Sequence, residues 1–103
     1  MRRDSKIVCK PYAIFIKKRP CLAIGFGCLG GVDPHHLIAR GQRDSKRNDL
    51  TQVPLCRKHH SEIEQIGLEK FNHKYYLDIW KEAFWLLCEF SIDQMIDVQR
   101  GVI

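Results

Sequence analysis

Four of the five histidines stand as two neighbouring pairs, His35-His36 in VDPHHL and His59-His60 in PLCRKHHSEIE. Imidazole is both a common metal ligand and the side chain that exchanges a proton near neutral pH. Cys21, Cys28 and Cys56 lie near these pairs along the chain, whereas Cys9 and Cys88 do not and read as ordinary thiols. An odd number of cysteines in a chain expected in a reducing compartment points to metal ligation rather than to a disulfide framework. Cys56 and His59 form a C-x-x-H pair, and Cys21 and Cys28 are separated by six residues of turn-forming sequence. Zinc takes four nitrogen or sulfur ligands in a tetrahedron, and two pairs from two turns meet that need while pinning the turns together. The expected structural Zn2+ site is therefore Cys21, Cys28, Cys56 and His59.

His60 and Glu64 are four residues apart. On a helix they project from one face, one turn apart, as ligands of a shared ion must. On a strand, His35 and His36 point to opposite sides. They cannot both serve one ion in the same way, so one should bind metal and the other should do something else.

The elements that must position these groups can be read from period and punctuation. Four glycines in CLAIGFGCLGG (Gly25, Gly27, Gly30 and Gly31) mark tight turns between Cys21 and Gly31. A short strand is predicted through VDPHHLI, then the polar loop ARGQRDSKRND, then a second strand through LTQVPL in which Pro54 favours an edge or an end. After Cys56 the pattern becomes helical, with Ile63 and Ile66 on one face and Gly67 as a stop. Helical spacing resumes from Leu68 through Phe71, Tyr75, Ile79, Ala83, Leu86, Leu87 and Phe90. Trp80, Phe84, Trp85 and Phe90 are expected as core packed on the preceding unit, with Trp85 off the main stripe and suited to a contact between copies. KPYAIFIKKRP suits a short helix or extended lead-in. His73 reads as a surface or packing residue, and Asp33 as a turn former beside Pro34.

As a set, VDPHHL, the glycine-containing basic loop, VPLCRKHHSEIEQIG and the downstream EKF closely resemble the HNH, or ββα-metal, endonucleases. The likeness is strongest to small phage and prophage members, including the recombination enhancement type, and it covers residues 10–76. The resemblance implies an α+β fold: a zinc-stapled ββα-metal core over 21–76, preceded by a basic segment over 1–20 and followed by a helical extension over 77–103. It implies His36 as general base, with His35, His60 and Glu64 as ligands of a catalytic divalent ion. Relatives commonly carry histidine where Glu64 stands here. A carboxylate hardens the site toward Mg2+ or Mn2+, with Ni2+ or Zn2+ as alternatives. By position, Asp49 takes the middle role of the motif and holds the strand of His36 in place, with Asn48 and Thr51 as its rivals. In relatives with a single Asp-His pair the aspartate is a ligand, which keeps Asp33 as a minor candidate.

Charge fits such a reading. The chain carries +5 overall, but residues 1–60 hold 13 basic against 4 acidic side chains, while residues 61–103 hold 4 against 8. A basic half that contains the histidines suits a polyanion such as duplex or single-stranded DNA. Arg40, Arg43, Lys46, Arg47, Arg57 and Lys58 are the expected phosphate contacts, which position without reading sequence. The expected activity is metal-dependent hydrolysis of DNA phosphodiesters with low sequence specificity in phage recombination or processing, with a recombination protein as a candidate partner. A zinc-stapled DNA-binding or adaptor module without hydrolysis is the alternative. The basic start has no apolar stretch after it and no run of eighteen apolar residues exists, so no membrane is expected and the cytoplasm is the expected compartment.

Overall fold

Two strands carry prolines at their centres, and the pairing shows why that costs the ladder nothing. The computed structural model describes residues 6–38 and 47–99, with side chains through residue 94. Strands β1 (Val32–His36) and β2 (Gln52–Cys56) pair antiparallel from Val32 opposite Cys56 to His36 opposite Gln52. Pro34 falls opposite Pro54. Neither has an N–H to give, so they meet where the antiparallel pattern exchanges no hydrogen bonds, and the flanking residues keep theirs. Beyond the strands, the Leu37 N–H donates to the Thr51 carbonyl at 3.2 Å.

Around this hairpin stand four helices: α1 (Lys10–Lys17), α2 (Arg57–Ile66), α3 (Leu68–Tyr75) and α4 (Ile79–Gln99). The fold is small α+β, with a 3-10 turn at Asp49–Thr51 leading into β2. β2 is buried along its whole length. Val53 and Leu55 form a core with Phe71, Ile79 and Ala83. The N-terminal segment is part of this packing: α1 buries Tyr12 and Ile16 completely, and Phe90 of α4 meets Tyr12 edge to face and Phe15 at a tilt.

The start of α2 is where the glycine-rich stretch is used. The first amides of a helix lack internal partners. Here the Arg57 and Lys58 N–H groups donate to the Gly31 and Leu29 carbonyls at 3.0 and 3.2 Å. Such closeness leaves no room for a side chain at Gly30, where a Cβ would lie 2.8 Å from Arg57 Cβ and the backbone has φ +81°. Gly67 ends α2 at φ 87°, as the sequence predicts.

The helical spacing after Leu68 is not one helix. Tyr76 adopts a left-handed conformation at φ 56°. The Leu77 amide turns back to the Asn72 carbonyl, the Asn72 side chain accepts from the Ile79 amide at 3.1 Å, and the Asp78 carboxylate accepts from the Lys81 amide. Apolar period alone cannot register such a break, because Tyr75 and Ile79 stay on the buried side of both helices. A second expectation fails for Trp80 and Phe84, which are 45% and 61% exposed, whereas Trp85, off the main stripe, is 58% exposed. The short hairpin is already covered on this side by Ile79 and Ala83, so the rings beyond them have nothing left to pack on. Trp80 and Phe84 instead wall an open apolar cavity of about 140 Å³ with Leu50, Thr51, Ala83 and Leu87.

Gly30→Ala should lower stability by about 1–3 kcal/mol through positive-φ strain and the contact with Arg57. Gly31→Ala, where nothing lies within 4 Å, should cost under about 0.5 kcal/mol. Denaturant unfolding of both variants checks the close approach, and equal losses would count against it.

Candidate metal and catalytic centre

Cys56 ends β2 and caps α2, its sulfur accepting from the His59 amide at 3.5 Å. One helical turn later the His59 ring is fully buried. Its Nδ1 lies 3.1 Å from Cys56 Sγ, 3.5 Å from Cys21 Sγ and 3.7 Å from Cys28 Sγ. A tetrahedral ion with zinc–sulfur and zinc–nitrogen bonds of ordinary length separates such atoms by about 3.5 Å. All four ligand atoms lie within 4.8 Å of one another. Cys28 is exposed as a residue, yet its sulfur faces inward to the Ala23 carbonyl and the cluster. The Cys21, Cys28, Cys56 and His59 group can therefore hold a metal.

The thiols differ in how readily they charge. Burial works against a Cys56 thiolate, but the His59 and Leu29 amides outweigh it and draw this thiol down to about 6. Desolvation and the neighbouring Cys21 and Cys56 push Cys28 up to about 12. A cation would remove that competition by stabilising every thiolate at once.

His35 and His60 meet edge to face, with ring centroids 5.0 Å apart. His60 Nε2 lies 2.8 Å from Glu64 Oε1, one turn along α2. The ligand atoms of His35, His60 and Glu64 form a second group within 4.8 Å of one another. Burial first, then the neighbouring His60, push His35 down to about 4, with Glu64 opposing and His36 adding to the shift. A neutral His35 at pH 7 has a lone pair ready for an ion.

His36 points the other way. Its Nε2 is 2.8 Å from Asp49 Oδ1. Asp49 is itself buried, and its other oxygen accepts the Cys9 amide at 2.9 Å. Burial opposes charge on Asp49, but the Cys9 amide, His36 and Arg47 together hold its carboxyl below the ordinary carboxylate range. Of the three residues weighed for the middle role, it is Asp49 whose side chain reaches a histidine. One carboxylate oxygen meets the His36 imidazole and the other meets backbone, the Cys9 N–H. Asn48 caps the Leu50 amide, and Thr51 Oγ1 donates to the Asn48 carbonyl and accepts from Ile38.

Two contributors had no signal in the sequence. Ile7 pairs with Asn48 in a parallel bridge: its amide donates to the Arg47 carbonyl and its carbonyl accepts the Asp49 amide. Cys9 acts through its backbone N–H, which no side-chain motif can announce. Asp33 turns out to face His60 and Arg57. Of the basic residues, Arg57 is 72% exposed beside Asp33, Lys58 donates to the Gly27 carbonyl at 3.0 Å, and Arg47 approaches Asp49. Arg40, Arg43 and Lys46 lie outside the described residues. His73 is exposed.

Comparison with known proteins adds a family. A model described as a protein of unknown function, DUF968, matches residues 2–85. The chain belongs to the DUF968 family. The match takes in the Cys21, Cys28, Cys56 and His59 group, the His35, His60 and Glu64 group and the Asp49–His36 pair. This DUF968 chain is also 44% identical over 54 residues to the uncharacterized protein YdfU of Escherichia coli (strain K12). That alignment covers 50% of the chain and 15% of YdfU, so the chain spans a small part of that relative's length. No solved structure matches. Among the described residues no helix is long and apolar enough to cross a membrane.

Elemental analysis of the purified protein should find about one tightly bound thiophilic metal per chain, and strong chelation should abolish the helical circular dichroism. A protein that folds fully without metal would overturn the cluster's structural role. With the cysteine group loaded and the second group stripped, the His35 ring should titrate near pH 4 by NMR. Because the native state binds this proton more weakly than the unfolded chain does, the ring's contribution to stability is complete above pH 6.5 and is lost as pH falls toward 4. An ordinary titration near 6.5 would contradict the burial argument.

Proposed function

We propose that this chain is a metal-dependent endonuclease of the HNH, or ββα-metal, kind, hydrolysing DNA phosphodiesters. The observation that carries the reading is that His35 and His36, neighbours on β1, face two different groups. His35 meets His60 and Glu64, and His36 meets Asp49. Neither arrangement is needed to staple the fold. A β hairpin followed by a helix that bears the remaining donors also matches the architecture implied by the resemblance in VDPHHL and VPLCRKHHSEIEQIG.

The chain's own groups account for the proton chemistry. With its carboxylate accepting from Nε2–H, Asp49 fixes the tautomer of His36 and leaves the Nδ1 lone pair free to take a proton from water. Water that loses its proton there attacks phosphorus, and the 3′ oxygen departs. The Cys9 amide and Arg47 keep the acceptor charged against the cost of its burial, and the Cys9 bond holds it in place. Arg57 and Lys58 at the start of α2 supply charge for backbone phosphates without reading bases. A divalent ion held by His35, His60 and Glu64, Mg2+ or Mn2+ by the hardness of the carboxylate, would supply charge neutralisation at the phosphoryl and leaving oxygens.

For the Cys21, Cys28, Cys56 and His59 group we infer structural Zn2+, from the nitrogen and sulfur donor set and the spacing about His59 Nδ1. The likeness to recombination enhancement nucleases favours phage-derived DNA recombination or processing as the setting.

Supercoiled plasmid incubated with the purified protein should be nicked with Mg2+ or Mn2+ and left intact with EDTA. A folded His36→Ala variant should cut about 10²–10⁴-fold more slowly, the usual contribution of a general base. Equal cleavage by the variant, or DNA binding without cleavage under any of these ions, would defeat the reading and favour a non-catalytic DNA-binding module.

A further inference from the structure

Asp33 precedes His35 by two on β1, so the two side chains leave the same face of the strand. Their surroundings agree with that alternation. His35 packs against the His60 ring, and Asp33 Oδ2 lies 3.6 Å from His60 Nδ1. The His60 ring thus has a carboxylate on each side, Asp33 toward Nδ1 and Glu64 toward Nε2 at 2.8 Å. The two sides are not equivalent. His35, His60 and Glu64 have ligand atoms within 4.8 Å of one another, with Nε2 the His60 nitrogen nearest Glu64, whereas Asp33 is not part of that group. A third group holds Asp33 in place: Arg57 Nε is 3.5 Å from the same Oδ2.

An imidazole that ligates through one nitrogen must carry its proton on the other, and a carboxylate facing that other nitrogen fixes both tautomer and ring orientation. We propose that Asp33 is the positioning residue of this site: it holds the proton of His60 on Nδ1, so that Nε2 presents its lone pair to a divalent cation together with His35 and Glu64. This inference rests on the metal-binding half of the proposed function. It assigns Asp33 a place outside the ligand sphere instead of the minor ligand role weighed from the sequence. It also gives Arg57 a second task, steadying Asp33 from the first turn of α2.

The test uses Mn2+ alone, titrated into the 103-residue chain with its cysteine group loaded. Asp33→Ala should weaken Mn2+ binding by about 10–100-fold, the usual effect of losing such an outer partner. Asp33→Asn, which keeps the shape and an acceptor oxygen but not the charge, should fall between Asp33→Ala and the parent. Arg57→Ala should weaken Mn2+ binding less than Asp33→Ala does, because Arg57 reaches the ring only through Asp33. In the Zn2+-loaded protein, long-range nitrogen NMR should find the His60 proton on Nδ1. Unchanged Mn2+ affinity in both Asp33 variants, an equal loss in Arg57→Ala, or ligation through Nδ1 would overturn the proposal. Should Asp33→Ala fail to fold, the Mn2+ affinity of Asp33→Asn decides the matter in its place. Mn2+ binding that depends on Asp33 in a protein that never nicks plasmid would sink the nuclease and leave this assignment standing.

Discussion

The seating of one buried imidazole among three sulfurs constrains the rest of this fold. His59 Nδ1 can lie within 3.1–3.7 Å of Cys56, Cys21 and Cys28 only if the glycine-rich turn folds over the start of α2. That closure brings the Gly31 and Leu29 carbonyls to the first amides of the helix and fixes where α2 begins relative to β2. His60, the next residue, then faces β1 instead of the core. A metal held by this group would tie the glycine-rich turn to the start of α2 and add a cross-link to the small core beneath.

A second constraint comes from strand alternation. Adjacent residues on β1 must face opposite sides, and the fold places a receiving group on each side: α2 with His60 and Glu64 on one, the 3-10 turn with Asp49 on the other. The Asp49 side is secured from the N-terminus. Ile7 and Cys9 give Asp49 its backbone partners, so a segment remote in sequence from both histidine pairs orients the carboxylate that meets His36. The packing of α1 through Tyr12 and Ile16 anchors that segment.

Much of this is legible in the residues alone. Side-chain types at fixed spacing, C-x-x-H and the His60/Glu64 pair, act through local geometry, and local geometry is what a sequence states most directly. The strand at 32–36, the helix from Arg57 to Ile66 and its stop at Gly67 follow for the same reason. Three features are hidden. The break at Tyr76 keeps the apolar stripe in phase across two helices, so period gives no sign of it. The exposure of Trp80, Phe84 and Trp85 depends on how little surface a two-stranded sheet offers. The hold of Ile7 and Cys9 on Asp49 runs through backbone groups that every residue carries.

The facing prolines of the hairpin have an outcome beyond its own ladder. In a two-stranded sheet both strands are edges, and an edge invites a stranger's strand wherever it offers a donor and an acceptor in sequence. Residues in non-bonded pairs direct their N–H groups outward, and at the centre of each strand that residue is a proline. On the β2 side the Pro54 carbonyl is already taken by the Leu22 amide at 3.0 Å. A hairpin so short and so apolar on β2 therefore resists growing into a larger sheet with its own copies.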